Sequence, residues 1–119
     1  MRMTRFRRGD VALVLFPNSD LRTAKKRPVL IVQRDNLGSG LRQYVVAMVS
    51  SNMDRADHPS RVSVKMASVE GRKSGLLTDS VIMTDNLATI LDDEFECVIG
   101  RYDNIDQVDA ALCYTLDVK

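Results

Sequence analysis

Short β-branched and apolar runs, each bounded by polar turn residues, constrain the fold of this chain more than any other feature of its sequence. Each run has the length of a single strand. We predict strands at residues 11–16, 29–33, 44–50, 61–64, 79–83 and 97–100. The third run is apolar on both faces, which is typical of a central strand. Short strands at even spacing predict a strongly bent antiparallel sheet or small barrel.

The last segment has helical periodicity. Its apolar residues recur at spacings of three and four: Ile105, Val108, Leu112 and Leu116. Asn104, with Gln107 three positions later, predicts a capping box at the start of this helix. We expect a turn at residues 70–75 and a single helical turn at residues 91–95. The sequence therefore predicts one mainly β domain over residues 1–119, with a C-terminal helix.

Composition indicates an ordinary soluble protein. Of the 119 residues, 45% are hydrophobic and 28% are charged, which excludes wholesale disorder. Cys97, Cys113 and the single His58 lack metal-ligand spacing, so we expect no zinc site and two reduced, buried cysteines. The apolar run at 11–16 follows several arginines but is too short for a secretory signal or a membrane span. We expect a cytoplasmic protein with no membrane contact.

The net charge of +1 conceals a strong gradient along the chain. Residues 1–34 carry nine basic and two acidic side chains, whereas residues 85–119 carry two basic and nine acidic ones. This asymmetry favours a basic surface for an anionic ligand if the ends stay apart, and it cancels if folding mixes them. The charge pattern leaves both outcomes open.

The basic run Lys25-Lys26-Arg27 is the first candidate functional feature. It closes a predicted loop just before Pro28, which we expect to open the second strand. Three cations here either keep a sheet edge soluble or form a phosphate site in which Pro28 stiffens the backbone beside Arg27.

Polar residues at strand ends are the other candidates. They are Ser50, Ser51 and Asn52 after the central strand, and the pair Asp85-Asn86 after the fifth. Such hydroxyls and amides usually cap backbone groups, and such an aspartate usually forms a turn. His58 has no evident nucleophile beside it in the sequence, so we expect it to serve surface structure.

Three motifs near the N-terminus are more specific. RGDV at 8–11, FPNSD at 16–20 and KRPVLIV at 26–32 resemble the opening of the MazF/PemK family, the toxins of bacterial toxin–antitoxin pairs. VVAMVSS at 45–51, GLLTDSVI at 75–82, the Thr-Ile pair at 89–90 and the helix at 103–116 extend this resemblance over nearly the whole chain.

The resemblance implies a small SH3-like antiparallel barrel with helices, of the type shared by CcdB and MazF toxins, working as a homodimer. It implies a metal-independent, sequence-specific endoribonuclease of a type II toxin–antitoxin system, without a cofactor, which a cognate antitoxin neutralises. Carried over by position, Arg27, Ser50 and Asp85 are the catalytic residues. The substrate-binding residues are Phe16, Asp20, Lys25, Lys26, Ser51 and Asn52.

Two positions depart from the family pattern. Met83 and Ala88 stand where many relatives have arginine. This leaves a catalytically inactive RNA-binding relative as one alternative function. A gyrase-poisoning inhibitor like the CcdB toxins is another.

The residue types suit metal-free cleavage of single-stranded RNA, in which the 2′-OH attacks the adjacent phosphorus. The reaction needs a proton acceptor at the 2′-OH and positive charge at the phosphoryl oxygens. Asp85 suits the first role, Arg27 suits a bidentate clamp, and Ser50 can donate a hydrogen bond to the same oxygens. The proton for the leaving 5′-oxygen comes from an arginine or from water, and the sequence leaves this open.

Overall fold

The computed structural model describes residues 5–17, 20 and 22–119. The elements of this part of the chain follow in the order β1 (Asp10–Pro17), β2 (Ala24–Ile31), β3 (Gln43–Ser50), β4 (Arg61–Val64), α1 (Val69–Ser74), β5 (Ser80–Leu91), a 3₁₀ turn (Asp92–Glu94), β6 (Phe95–Arg101) and α2 (Ile105–Leu116). The strands form one antiparallel sheet in the order β4-β5-β3-β2-β1-β6. The prediction of a mainly β, barrel-like sheet with a C-terminal helix is confirmed, although β4 and β6 remain edges.

Apolar clusters cover both faces of the sheet at β3, as expected for a central strand. Its alternate residues divide between two apolar clusters, Val46 and Met48 on one face and Ala47 and Val49 on the other. The helix α2 packs Val108 and its neighbours onto the Ala47 face. Three aromatic rings fill the opposite face, with centroids 4.5–5.6 Å apart: Phe6, Tyr44 and Phe95.

The second strand begins five residues earlier than predicted. Lys25, Lys26 and Arg27 lie in β2 and not in a loop, and Pro28 is inside the strand. Their backbones pair with β1, from Leu13↔Pro28 to Pro17↔Ala24. The side chains of residues 24–27 are exposed, so burial does not stabilise this half of β2. Backbone pairing with β1 holds these residues in a strand despite their low strand propensity.

Residues 70–75 form most of a short helix where a turn was predicted. The Ser68 side chain caps α1 by accepting a hydrogen bond from Gly71 N at 2.9 Å, and Gly75 ends it at a φ of 77°. A Cβ on Gly75 would collide with the Ile99 carbonyl oxygen, and one on Gly100 with the Ser74 carbonyl group. These glycines therefore allow α1 to lie directly on the backbone of β6.

The predicted helix α2 and the helical turn near residue 92 are confirmed, but the capping box is wrong. Asn104 makes no side-chain cap, and Gln107 Oε1 instead accepts a hydrogen bond from Tyr102 Oη at 3.1 Å. The prediction of buried cysteines is also wrong. Cys97 and Cys113 are free thiols on exposed positions of β6 and α2.

Candidate active site

A cleft opens where β2 and β3 diverge. Their pairing stops at Val29↔Met48. Beyond that point β2 continues to pair with β1, while β3 continues to pair with β5 as far as Ser50↔Val81. The two strands therefore separate, each held by its other neighbour.

Pro28 accounts for the position of this divergence. The Ile31 carbonyl faces β1, where it accepts from Gly9 N at 2.9 Å, whereas Val32 N faces β3 and donates to Val45 O at 3.2 Å. Backbone groups alternate sides along a strand, so Pro28 faces β3. Proline has no N–H, and the next hydrogen bond of the ladder cannot form. Pro28 does not open the strand, but it ends the pairing with β3.

The cleft has a volume of about 680 Å³ and a strongly one-sided charge. Three cations line it and no carboxylate does, among the residues that the structure describes. The lining includes Phe16, Lys25, Lys26, Arg27, Ser50, Ser51, Met83, Asn86 and Ala88. Such a surface favours an anionic ligand.

Arg27 is the central cation of the cleft. Continuing the β2–β3 register by two residues sets Arg27 opposite Ser50 across the opening. The Arg27 side chain is exposed and forms no ion pair or hydrogen bond within the described residues, so its planar fork is free to bind two oxygens of a ligand.

The two neighbouring lysines differ in how strongly they are held. Lys26 Nζ lies 2.9 Å from Glu96 Oε2 on β6, and this hydrogen-bonded pair raises the pKa of Lys26. Lys25 has no such partner among the described residues. Lys25 and Arg27 are therefore the uncompensated charges of the cleft.

The Ser50 hydroxyl both caps the backbone and faces the cleft. Its Oγ accepts a hydrogen bond from Asn52 N at 3.1 Å, which leaves its O–H free to donate. Ser51 also lines the cleft. Asn52 does not, because its Oδ1 accepts from Asp54 N at 2.9 Å in the following turn.

Asp20 and Asp85 lie outside the cleft lining. Asp20 Oδ1 accepts hydrogen bonds from the backbone N–H groups of Arg22 and Thr23, which lower the pKa of Asp20. The Asp85 carboxylate is bound on both oxygens by Arg61 of β4, at 3.3 Å from Nε and 3.2 Å from Nη2. The structure thus brings together Phe16, Lys25, Lys26, Arg27, Ser50 and Ser51, and it leaves Asp20, Asn52 and Asp85 elsewhere.

His58 lies outside the cleft lining, whereas Asn86 is part of it. His58 Nδ1 accepts from Ser60 N at 3.2 Å and lies 2.7 Å from Ser60 Oγ, a structural arrangement of the kind expected. Asn86 also lines the cleft, a position for which the sequence predicted no role. The available signal was its place beside Asp85, but the side of the strand it faces depends on a bulge in β5.

The fold is a barrel-like antiparallel sheet with a basic cleft between β2 and β3. The model of the PemK-like, MazF-like toxins of type II toxin–antitoxin systems matches residues 7–116. The chain belongs to this family. No curated protein matches its sequence.

Solved structures share the fold. Toxin MazF-mt6 of Mycobacterium tuberculosis is 22% identical, with 92% of this chain and 98% of that chain covered and a TM-score of 0.72. An endoribonuclease in complex with its cognate antitoxin, from a mycobacterial species, is 22% identical over 95% of this chain and 96% of that chain, with a TM-score of 0.71. A MazE-MazF structure from Deinococcus radiodurans is 14% identical, with coverage of 95% and 97% and a TM-score of 0.71.

The part of the chain that the structure describes holds neither a cluster of metal ligands nor a membrane-spanning helix. Within residues 5–17, 20 and 22–119, no three His, Cys, Asp or Glu side chains are grouped closely enough to hold a metal ion. No helix in the same part of the chain has the length and apolar character needed to span a membrane.

Proposed function

We propose that this protein is a metal-independent endoribonuclease toxin that cuts single-stranded RNA in the cleft between β2 and β3. The observation that carries the proposal is the acid-free cleft in which the unpaired Arg27 faces Ser50. RNA supplies both the anion that this cleft attracts and the 2′-OH nucleophile. Membership of a family whose type II toxins are endoribonucleases supports the same activity.

In the proposed reaction the 2′-oxygen attacks the adjacent phosphorus and loses its proton. A 2′,3′-cyclic phosphate forms, the bond from phosphorus to the 5′-oxygen breaks, and that oxygen leaves as a 5′-OH after taking up a proton. Arg27 binds two non-bridging oxygens and Ser50 donates a hydrogen bond to one of them, so both stabilise the charge that grows on the phosphorane.

Within the described residues, no carboxylate of the cleft lining is placed to accept the proton of the 2′-OH. Asp85 was the sequence-based choice, yet its carboxylate pairs with Arg61 outside the cleft lining. Asp85 reaches a bound 2′-OH only if that pair opens. We therefore assign most of the rate enhancement to Arg27 and Ser50, with water accepting the proton.

One observation favours a second candidate function. Met83 and Ala88, where relatives carry arginine, both line the cleft. Arg27 is then left without a second fixed guanidinium, as in a relative that binds RNA and does not cut it.

The proposed partners follow from the same cleft. We expect a homodimer in which RNA contacts both copies. We also expect a cognate antitoxin with an acidic, initially disordered segment that folds onto Lys25 and Arg27 and blocks RNA. An NMR titration in which the antitoxin leaves the signals of the cleft residues unmoved would contradict this mode of inhibition.

The test is incubation of purified protein with a long single-stranded RNA in EDTA and, separately, in Mg²⁺. The endoribonuclease proposal predicts equal cleavage in both. RNA that is bound and left intact favours the inactive relative. Cleavage that EDTA abolishes and a divalent ion restores contradicts the mechanism, and inhibition of DNA gyrase without RNA cleavage favours the CcdB-like alternative.

A further inference from the structure

A bulge in β5 forms one wall of the cleft. The pairing of β5 with β3 changes register between Ala47↔Leu87 and Met48↔Met83. Residues 84–86 are therefore extra residues on the β5 side, without partners in β3. Bulges of this kind redirect side chains and are common beside active sites.

Two of the three bulge residues are tied to the side of β5 away from the cleft. Thr84 is buried, and its Oγ1 donates to Ser60 O at 2.5 Å and lies 2.8 Å from Thr115 Oγ1 of α2. Asp85 is held by Arg61 through both of its carboxylate oxygens. These contacts fix the path of the bulge at two successive residues.

The third bulge residue, Asn86, lines the cleft instead. It is exposed, and its side-chain amide forms no hydrogen bond with the described residues. Its φ is not among the positive values, which occur at the non-glycine positions Asn36, Arg55 and Asp117. The two ordinary structural reasons for asparagine, a left-handed backbone and a side-chain cap, therefore do not apply to Asn86.

The chemistry of Asn86 complements that of the cations across the cleft. Lys25 and Arg27 bind phosphate oxygens, which are the same in every nucleotide and carry no sequence information. A carboxamide presents one acceptor and two donors, and it binds a base edge that offers an adjacent donor and acceptor, as N6 and N7 of adenine do. Unstacked bases of single-stranded RNA expose such edges.

We propose that Asn86 is a specificity-determining residue that hydrogen-bonds a base edge, adenine above all, of RNA in the cleft. This inference rests on the proposed function. Arg61, through Asp85, is a positioning residue that keeps the bulge in the path that presents Asn86. The ion pair between Arg61 and Asp85 therefore affects which site is cut more than it affects the rate of the chemical step.

The test is to digest an RNA pool with a randomised segment and to sequence the cleavage sites of each variant. Asn86→Ala should lose about five- to hundredfold of discrimination at one nucleotide position, with adenine the preferred base in the parent. Asn104→Ala, a matched control remote from the cleft, should retain the parental preference.

Arg61→Met and Asp85→Asn test the positioning role. Both should relax the same nucleotide position, and Asn86→Ala combined with Arg61→Met should relax it no further than Asn86→Ala alone. Melting temperatures of all variants separate this effect from general loss of structure. An unchanged site preference in a folded Asn86→Ala variant overturns the inference. A rate loss in Asp85→Asn without any change of site preference overturns the role given to Arg61.

A binding measurement separates this inference from the proposed function. Parent and Asn86→Ala are titrated with 2′-O-methyl RNA oligonucleotides that differ at one base and resist cleavage. If the parent cuts no RNA but shows a base preference that Asn86→Ala lacks, the proposed catalysis fails and the role of Asn86 stands. If the parent neither cuts nor binds RNA, both fail.

Discussion

Arg27 is the residue on which the proposed catalysis depends most. Two requirements meet at its guanidinium: positive charge at the phosphate and a planar fork that binds two oxygens. Lys25 supplies charge without the fork. Because Met83 and Ala88 add no further guanidinium to the lining, the loss of Arg27 cannot be compensated from within the cleft.

Replacement of Arg27 should therefore damage the chemical step more than binding. Arg27→Ala should lose on the order of 3 kcal/mol of transition-state stabilisation, a hundredfold or more in rate. Arg27→Lys should be nearly as slow, because a point charge binds one oxygen. The measurement is single-turnover cleavage of one RNA at saturating protein, with Arg34→Lys as a control outside the cleft. An Arg27→Lys variant that cuts at the parental rate would show that charge alone suffices.

Lys26 should contribute to affinity and not to the chemical step. It lies on the same strand as Arg27 but is partly neutralised by Glu96. Lys26→Ala should weaken RNA binding. It should also reduce the slope of the logarithm of the binding constant against the logarithm of the salt concentration by less than about 0.7, the value for one phosphate contact on a single strand. Lys25→Ala, which removes an unpaired charge, should reduce the slope more. Equal slopes for the two variants would contradict the ion pair with Glu96.

At the scale of elements, much of the sheet was predictable because strand-length apolar runs report burial directly. The first, third and fourth strands and α2 lie close to their predicted positions. The exposed half of β2 was not predictable, since its stability comes from backbone pairing with β1. The short helix α1 depends on Gly75 and Gly100 meeting in space, which no local pattern reveals.

Part of the cleft lining could be predicted from the sequence, and part could not. Arg27 and Ser50 lie on adjacent strands whose identity the motifs made plain. Asp85 and Asn86 lie in a bulge, where a shift of register decides which side chain faces the cleft. Sequence spacing alone cannot tell these two neighbours apart.

The packing of α1 on β6 gives a stability prediction. A methyl group at position 100 would meet the backbone of Ser74, which has little room to move. Gly100→Ala should lower the free energy of unfolding by about 3 kcal/mol. Gly40→Ala is the matched control, because it has a φ of 78° but no atom within 4 Å, and it should cost about 1 kcal/mol. Urea denaturation measures both, and equal losses would contradict this packing.

Tyr102 links β6 to α2 and predicts how stability changes in alkali. Burial, and secondarily the charge of Glu70, raises the pKa of Tyr102 above its usual 10.0. Above pH 10 the unfolded chain loses this proton before the folded one, so the free energy of unfolding falls as pH rises. Tyr102→Phe should lessen that fall. Urea unfolding of both proteins at pH 8 and pH 10.5 measures it, and parallel losses would contradict the raised pKa.

At the scale of the whole molecule, folding brings the basic and acidic ends of the chain together without cancelling the field of the cleft. Among the described residues, four ion pairs join the first 34 residues to the last 35: Arg5–Asp92, Arg8–Asp109, Lys26–Glu96 and Asp10–Arg101. Lys25 and Arg27 stay outside these pairs and line the cleft. Both outcomes left open by the charge gradient are therefore realised, in different parts of the surface.

The central claim is that the cleft uses the RNA's own 2′-OH as nucleophile. It is tested most directly with two oligonucleotides of the same sequence. One is all-ribose, and the other has a single 2′-deoxy sugar at the cleavage site. The all-ribose strand should yield a 2′,3′-cyclic phosphate and a free 5′-OH, and the 2′-deoxy strand should bind with the same affinity and stay intact. Cleavage of the deoxy-substituted strand at the same rate as the all-ribose strand, or products with a 5′-phosphate, would contradict attack by the 2′-OH.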